Sequence, residues 1–152
     1  MNIALYQPEI PQNTAAILRT AACFATPVHI IGPAAFDLSA RAVRRAGLDY
    51  AQSAKLQLHA SLETFLIAQQ RVILFTTSAG ATLPHFRFAP DDTLLFGRES
   101  AGVPDSVHDA CAARVRIPIA PGARSLNLAV AVAIGLYHAL ASTDSLIEKG
   151  LQ

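Results

Sequence analysis

The chain has 152 residues, 52% of them hydrophobic and only 15% charged, which excludes a disordered protein and predicts one folded domain over residues 1–152. Its net charge of +1 excludes the strongly basic balance of a chain that holds nucleic acid by its global field, so any RNA contact must come from a local patch. Cys23 and Cys111 match no metal or redox spacing, and both are expected as small buried apolar side chains in a reducing, cytoplasmic compartment.

Asn2–Tyr6 (NIALY) is a short apolar run that predicts a strand, ended by QPEIP, whose two prolines force a loop. Asn13 is placed to cap a helix over residues 14–24, with Ile17, Leu18 and Cys23 toward its buried side. Val28–Ile31 (VHII) predicts a second strand, stopped by Gly32 and Pro33. Ser39 is placed to cap a helix through Arg45, ended by Gly47. Ser61 caps an apolar-periodic segment over 62–69, followed by the strand-like VILFTT at 72–77. TLLFG at 93–97 predicts a further strand, Pro104 begins a short helix, and residues 115–119 predict another strand before a long C-terminal helix. Residues 126–141 are almost wholly apolar, yet shorter than the ~20 residues of a membrane span, so a helix buried in protein is expected. Strands apolar on both faces and interleaved with helices predict an α/β fold, a mostly parallel sheet flanked by helices.

The familiar fingerprints are missing: no GxGxxG follows the first strand, and GxxxxGK[ST], HExxH and GxSxG do not occur. The histidines (His29, His59, His85, His108, His138) show no ligand spacing, and no metal is expected. In LLFGRESAGVP, Gly97 and Gly102 permit positive φ or close approach of backbone to a ligand, and Glu99 adds a carboxylate at the mouth of a strand. An ordinary strand–turn–helix connection accounts for the segment equally well. In IPIAPGARSLN, Ser125 and Asn127 sit where a helix begins and its free N–H groups can bond a ligand; Ser125 as a plain helix cap is the commoner arrangement. NTAAILR places Arg19 six residues beyond Asn13, where a solvated surface arginine is the simpler account. Arg41, Arg44 and Arg45 gather on one helical face, suited to RNA phosphates or to plain solubility.

Taken together and in this order, NTAAILR, LLFGRESAGVP and IPIAPGARSLNLAVAVAIGLY resemble the SpoU branch of the SPOUT methyltransferases over nearly the whole chain. The short length, with LYQPEIPQNT and RRAGLDY, looks like the minimal tRNA wobble-position 2′-O-methyltransferases of that branch. The resemblance implies a SPOUT fold with a C-terminal trefoil knot, and an S-adenosylmethionine site built from three loops. By position, Phe75 and Thr76 begin the first loop, Gly97, Glu99 and Gly102 form the second, and Ile117, Ser125, Leu126 and Asn127 the third. Arg19 matches the family's catalytic arginine, often supplied across a dimer interface; Asn13, Glu99, Ser125 and Asn127 complete the implied catalytic set. Arg41, Arg44 and Arg45 become the implied RNA contacts. Ala15 departs from the glycine that the family usually carries there.

The implied reaction is methyl transfer to the ribose 2′-hydroxyl of the wobble nucleotide, cytidine or uridine 34, with leucine tRNAs as expected substrates. A guanidinium is a poor base, so Arg19 is expected to position and stabilise the developing alkoxide rather than to take its proton. The C-terminal helix carries Leu128, Val130, Val132, Ile134, Leu136, Tyr137 and Leu140 almost all round, which predicts a homodimer through that helix. The alternatives are a methyltransferase of the same class acting on another RNA, a catalytically silent knotted module that binds RNA or cofactor, and, more distantly, a hydrolase using Ser125.

Overall fold

The computed structural model describes residues 1–37 and 54–146. Its strands are β1 (Asn2–Tyr6), β2 (Val28–Ile31), β3 (Gln57–His59), β4 (Val72–Phe75), β5 (Ala81–Thr82), β6 (Thr93–Phe96) and β7 (Ala113–Arg116). They form one sheet in the order β3-β2-β1-β6-β4-β7-β5, with every neighbouring pair parallel. The chain runs outward from β1 to β3, then returns to build the other half on the far side. In the centre, Leu5 lies opposite Phe96, which lies opposite Phe75, so β4 and β6 end level and β1 runs one residue further.

Strict alternation sorts the strand side chains onto two cores. Ile3, Leu5, Ile30, Ile73, Phe75, Leu94 and Phe96 face helices α1 (Pro11–Cys23) and α4 (Leu128–Ser142). Ala4, Tyr6, Ile31, Leu74 and Leu95 face the other way, toward Phe65 of α2 (Leu62–Leu66) and Val107 of α3 (Asp105–Ala110). Full burial of each large aliphatic side chain is worth roughly 1.5–3 kcal/mol, which is why these runs carry no polar face.

Several expected boundaries shift, each for a local reason. Helix α1 begins at Pro11, whose fixed φ suits the first helical position, so Ile10 and not Asn13 occupies the cap position. Cys23 is exposed rather than buried: the buried stripe is Thr14, Ile17, Leu18 and Ala21, and Cys23 lies two residues past it, off the face. Ser61 does cap α2, in a reciprocal arrangement with Thr64, but the helix ends at Leu66 instead of Gln69. Strand β7 lies over Ala113–Arg116 instead of 115–119, because its partner β4 stops at Phe75, opposite Val115, and Pro118 has no N–H to extend the ladder. The edge strands β3 and β5 went unpredicted, being three and two residues long with little apolar content. The helix expected over 39–45, with Arg41, Arg44 and Arg45, lies outside the described residues.

Helix α4 buries Val132, Gly135, Leu136, Ala139 and Leu140 but leaves Val130, Ile134 and Tyr137 at 47%, 40% and 55% exposure. Among the described residues, no helix is long and apolar enough to cross a membrane.

Candidate active site

A cavity of about 710 Å³ opens where β4, β6 and β7 end, with the loop after β1 closing one side. Open parallel sheets place ligands at this carboxyl edge, and the volume suits a nucleoside-sized molecule. Phe75 and Thr76 line it from the first loop, and Gly97, Glu99 and Gly102 from the second. Ile117, Ser125, Leu126 and Asn127 line it from the third, and Asn13 reaches it from α1. Arg19 does not line it; that side chain is exposed elsewhere on α1. Six helical residues advance ~9 Å and turn the side chain ~120° away from Asn13, so the two cannot serve one cavity from one helix.

The second loop is a tight hairpin. The Arg98 N–H donates to the Gly102 carbonyl at 2.9 Å and the Gly102 N–H returns to the Arg98 carbonyl at 3.1 Å. A Cβ on Gly97 would sit 2.5 Å from the Gly102 carbonyl carbon, and Gly102 itself holds φ +64°. Gly97 therefore serves close approach within the chain, and Gly102 serves positive φ.

Two carboxylates clasp this hairpin to the loop after β1. Glu99 accepts from the Glu9 N–H at 2.9 Å and the Ile10 N–H at 3.3 Å, which neutralises free donors at the start of α1. Glu9 in turn accepts from the Ser100 hydroxyl at 2.7 Å and the Ser100 N–H at 2.8 Å. Those two bonds hold the Glu9 carboxyl below the usual carboxylate range, with the positive Arg98 assisting.

A relay of side chains then crosses the cavity mouth. Asn127 accepts the N–H groups of Ala129 and Val130 at 2.9 and 3.3 Å, so it, and not Ser125, is the cap of α4. Its Nδ2 donates to Asn13 Oδ1 at 3.0 Å, and Asn13 Nδ2 donates to Glu99 Oε1 at 3.1 Å. Each amide has a donor on one side and an acceptor on the other, which fixes both orientations. Residues 13, 99 and 127, far apart in sequence, thus form one connected unit. Ser125 is exposed on the third loop, beside the cap rather than in it.

The floor is aromatic. Phe75 and Phe96 stack with ring centroids 4.6 Å apart, and Gly135 lets α4 press against them, since a Cβ there would meet the Phe75 ring at 2.7 Å.

Ile10, Arg98, His108 and Arg124 also line the cavity and were not singled out from sequence. Arg98 stands inside a quoted motif, whereas His108 is brought in by the placement of α3 alone. His29 and His59 pair ring nitrogen to ring nitrogen at 2.9 Å beside Phe65, an arrangement their spacing did not reveal. Among the described residues, no cluster of three or more metal-ligating side chains forms.

A model of the SpoU rRNA methylase family matches residues 1–137. The chain is 47% identical over 148 residues to a tRNA (cytidine(34)-2′-O)-methyltransferase of Beijerinckia indica, covering 95% of this chain and 92% of that one. It is 39% identical over 143 residues to the enzyme of the same description from Escherichia coli K12, covering 91% of each. A solved structure concerned with the 2-OH methylation of C/U34 on tRNA superposes with a TM-score of 0.86 at 44% identity, covering 93% of this chain and 94% of that one. An AdoMet-bound rRNA methyltransferase from Sinorhizobium meliloti superposes with a TM-score of 0.81 at 27% identity, covering 92% of this chain but 55% of that one. With a family match over most of its length and relatives this similar, the chain belongs to the SpoU rRNA methylase family.

Proposed function

We propose that this chain is an S-adenosylmethionine-dependent methyltransferase acting on the ribose 2′-hydroxyl of nucleotide 34, the wobble position, of tRNA. The observation that carries this reading is the Asn127–Asn13–Glu99 relay, which joins the three family segments around one cavity. The relatives at 39–47% identity named for cytidine 34 support the substrate. A tRNA substrate agrees with a cytoplasmic location.

The residues present fit the cofactor. The apolar side chains of Phe75, Ile117 and Leu126 suit the adenine, and the polar groups of the second and third loops suit its ribose and amino-acid ends. When bound, S-adenosylmethionine supplies a methyl group on a sulfonium, open to direct displacement. The chain's part is alignment: the relay fixes the loops so that the 2′-oxygen can approach in line. Arg19 would stabilise the alkoxide that develops as the 2′-hydroxyl gives up its proton to solvent.

Because Arg19 lies away from its own chain's cavity, the reading requires a homodimer in which Arg19 serves the partner's site. The uncovered Val130, Ile134 and Tyr137 on α4, which packs on α1, support that assembly. A trefoil knot made by the C-terminal segment also belongs to the proposal. It is supported by β7 entering between β4 and β5, and by residues 117–127 sharing the cavity with the 97–102 hairpin before α4 returns to α1. Arg41, Arg44 and Arg45 are assigned to tRNA phosphates on their charge and spacing.

The test is incubation of the protein with methyl-labelled cofactor and total RNA, then mapping of the label. Label at ribose 34 of tRNA is expected, and label in ribosomal RNA alone would replace the substrate. Arg19→Ala should abolish transfer while S-adenosylhomocysteine still binds; a normal rate would remove Arg19 from the mechanism. Neutralising Arg44 and Arg45 should weaken tRNA binding and reduce its salt slope by about 1–2.

A further inference from the structure

Four buried side-chain polar atoms among the described residues have no hydrogen-bond partner, and two of them, Arg98 Nε and His108 Nδ1, belong to residues that line the cavity. A buried donor left unsatisfied costs about 1–3 kcal/mol, so two in one cavity call for a cause. Neither is a remote packing defect. The Arg98 guanidinium lies over the Tyr6 ring, 5.5 Å from its centroid, and Tyr6 packs in the same cluster as Val107, the residue before His108. Both residues line the cavity, Arg98 over Tyr6 and His108 on α3, so both belong to the α3 side of the sheet. The opposite end, at Phe75, Phe96 and Leu128, belongs to the α1–α4 side.

Three carboxylates near these groups are engaged elsewhere: Glu99 accepts from the start of α1, Glu9 accepts from Ser100, and Asp109 pairs with Arg114 at 3.8 Å. Among the described residues, Arg98 makes no ion pair within 4.0 Å; Glu9, which feels its charge, is held by Ser100. An arginine has donors and no acceptor, and a histidine protonated on Nδ1 is a donor at that atom. Such a pair selects an oxyanion.

We propose that Arg98 and His108 form an anion subsite at the α3 end of the cavity, binding a carboxylate or phosphate oxygen of a bound ligand. This rests on the functional reading above, and two sources offer that chemistry: the carboxylate of the cofactor's amino-acid part, or a phosphate of the RNA beside the reacting ribose.

The experiment is calorimetry on the full-length protein with S-adenosylhomocysteine, and with 5′-methylthioadenosine, which lacks the carboxylate. Salt-dependent tRNA binding is measured alongside, for Arg98→Met, Arg98→Lys and His108→Leu. If the cofactor carboxylate is the occupant, Arg98→Met weakens S-adenosylhomocysteine by about tenfold to a hundredfold and leaves 5′-methylthioadenosine unchanged. An RNA phosphate leaves both nucleosides unchanged and lowers the salt slope of tRNA binding by about one. His108→Leu should move the same ligand in the same direction by a smaller factor. Should Arg98→Met fail to fold in a thermal melt, Arg98→Lys decides, because it keeps the cation over Tyr6 but loses the guanidinium fork. Equal weakening of both nucleosides, or no change in any ligand, overturns the subsite. Failure of the unsubstituted protein to bind S-adenosylhomocysteine overturns the functional reading and this inference together.

Discussion

Gly97 and Gly102 look alike in the sequence, yet each is glycine for a different reason. At 97 the obstacle is a backbone carbon 2.5 Å from any added Cβ; at 102 there is space but φ is +64°. Gly102→Ala should therefore cost about 1 kcal/mol, the ordinary penalty of a left-handed residue. Gly97→Ala must open the hairpin, and should cost more and also weaken S-adenosylhomocysteine binding. Chemical denaturation and calorimetry on the two variants check the order; equal costs would contradict it. The buried His29 imidazole belongs to the same scale. Burial pushes it down to about 4 from 6.5, with the neighbouring His59 adding to the effect. The unfolded chain takes up that proton near pH 6.5, whereas the folded chain resists until about pH 4. Its contribution is therefore fully present above pH 6.5 and is lost as pH falls toward 4, on the order of 2 kcal/mol. Urea midpoints at pH 7.5 and 5.0 should diverge less in His29→Gln than in the parent, and equal divergence would clear His29 of the effect.

At the scale of elements, the start of α4 joins stability to the site. Asn127 spends its oxygen on the helix and its amide nitrogen on Asn13. Asn127→Ala removes both and should cost about 1–2 kcal/mol of stability as well as cofactor affinity. Asn127→Asp keeps the cap acceptor but offers Asn13 no donor, so its melting temperature should stay near the parent's while methyl transfer falls. A variant that retains full transfer would show that the relay is dispensable. Most elements were legible because apolar runs such as VILF have no polar face to mislead. Their ends were less so: the ladder stops where a partner strand stops, which moved β7 forward and left Ile117 to the cavity instead of the sheet. Asn13 looked like a cap because its residue type favours one; Pro11 took the start of the helix and released Asn13 for the relay.

For the whole molecule, the uncovered stripe Val130, Ile134 and Tyr137 borders an apolar groove that includes Leu83, Ala133 and Ala141. If two copies meet there, Ile134→Glu with Tyr137→Glu should give a monomer by analytical ultracentrifugation that binds S-adenosylhomocysteine but does not methylate RNA. A double variant that stays dimeric, or a monomer that remains active, would contradict a site completed by the partner's Arg19.

The sequence by itself determined the α/β class, the family and the loops that line the cavity, because those depend on local apolar patterning and on motifs that survive as short strings. It did not reveal the His29–His59 pair, the Glu9–Ser100 clasp, the entry of Arg98 and His108 into the cavity, or the departure of Arg19 from it. Those were decided by the tertiary structure alone. Hydrogen bonds such as Asn13–Asn127 act over about 3 Å in space but join residues 114 positions apart, and the order of the strands, not the order of the chain, sets which of them meet.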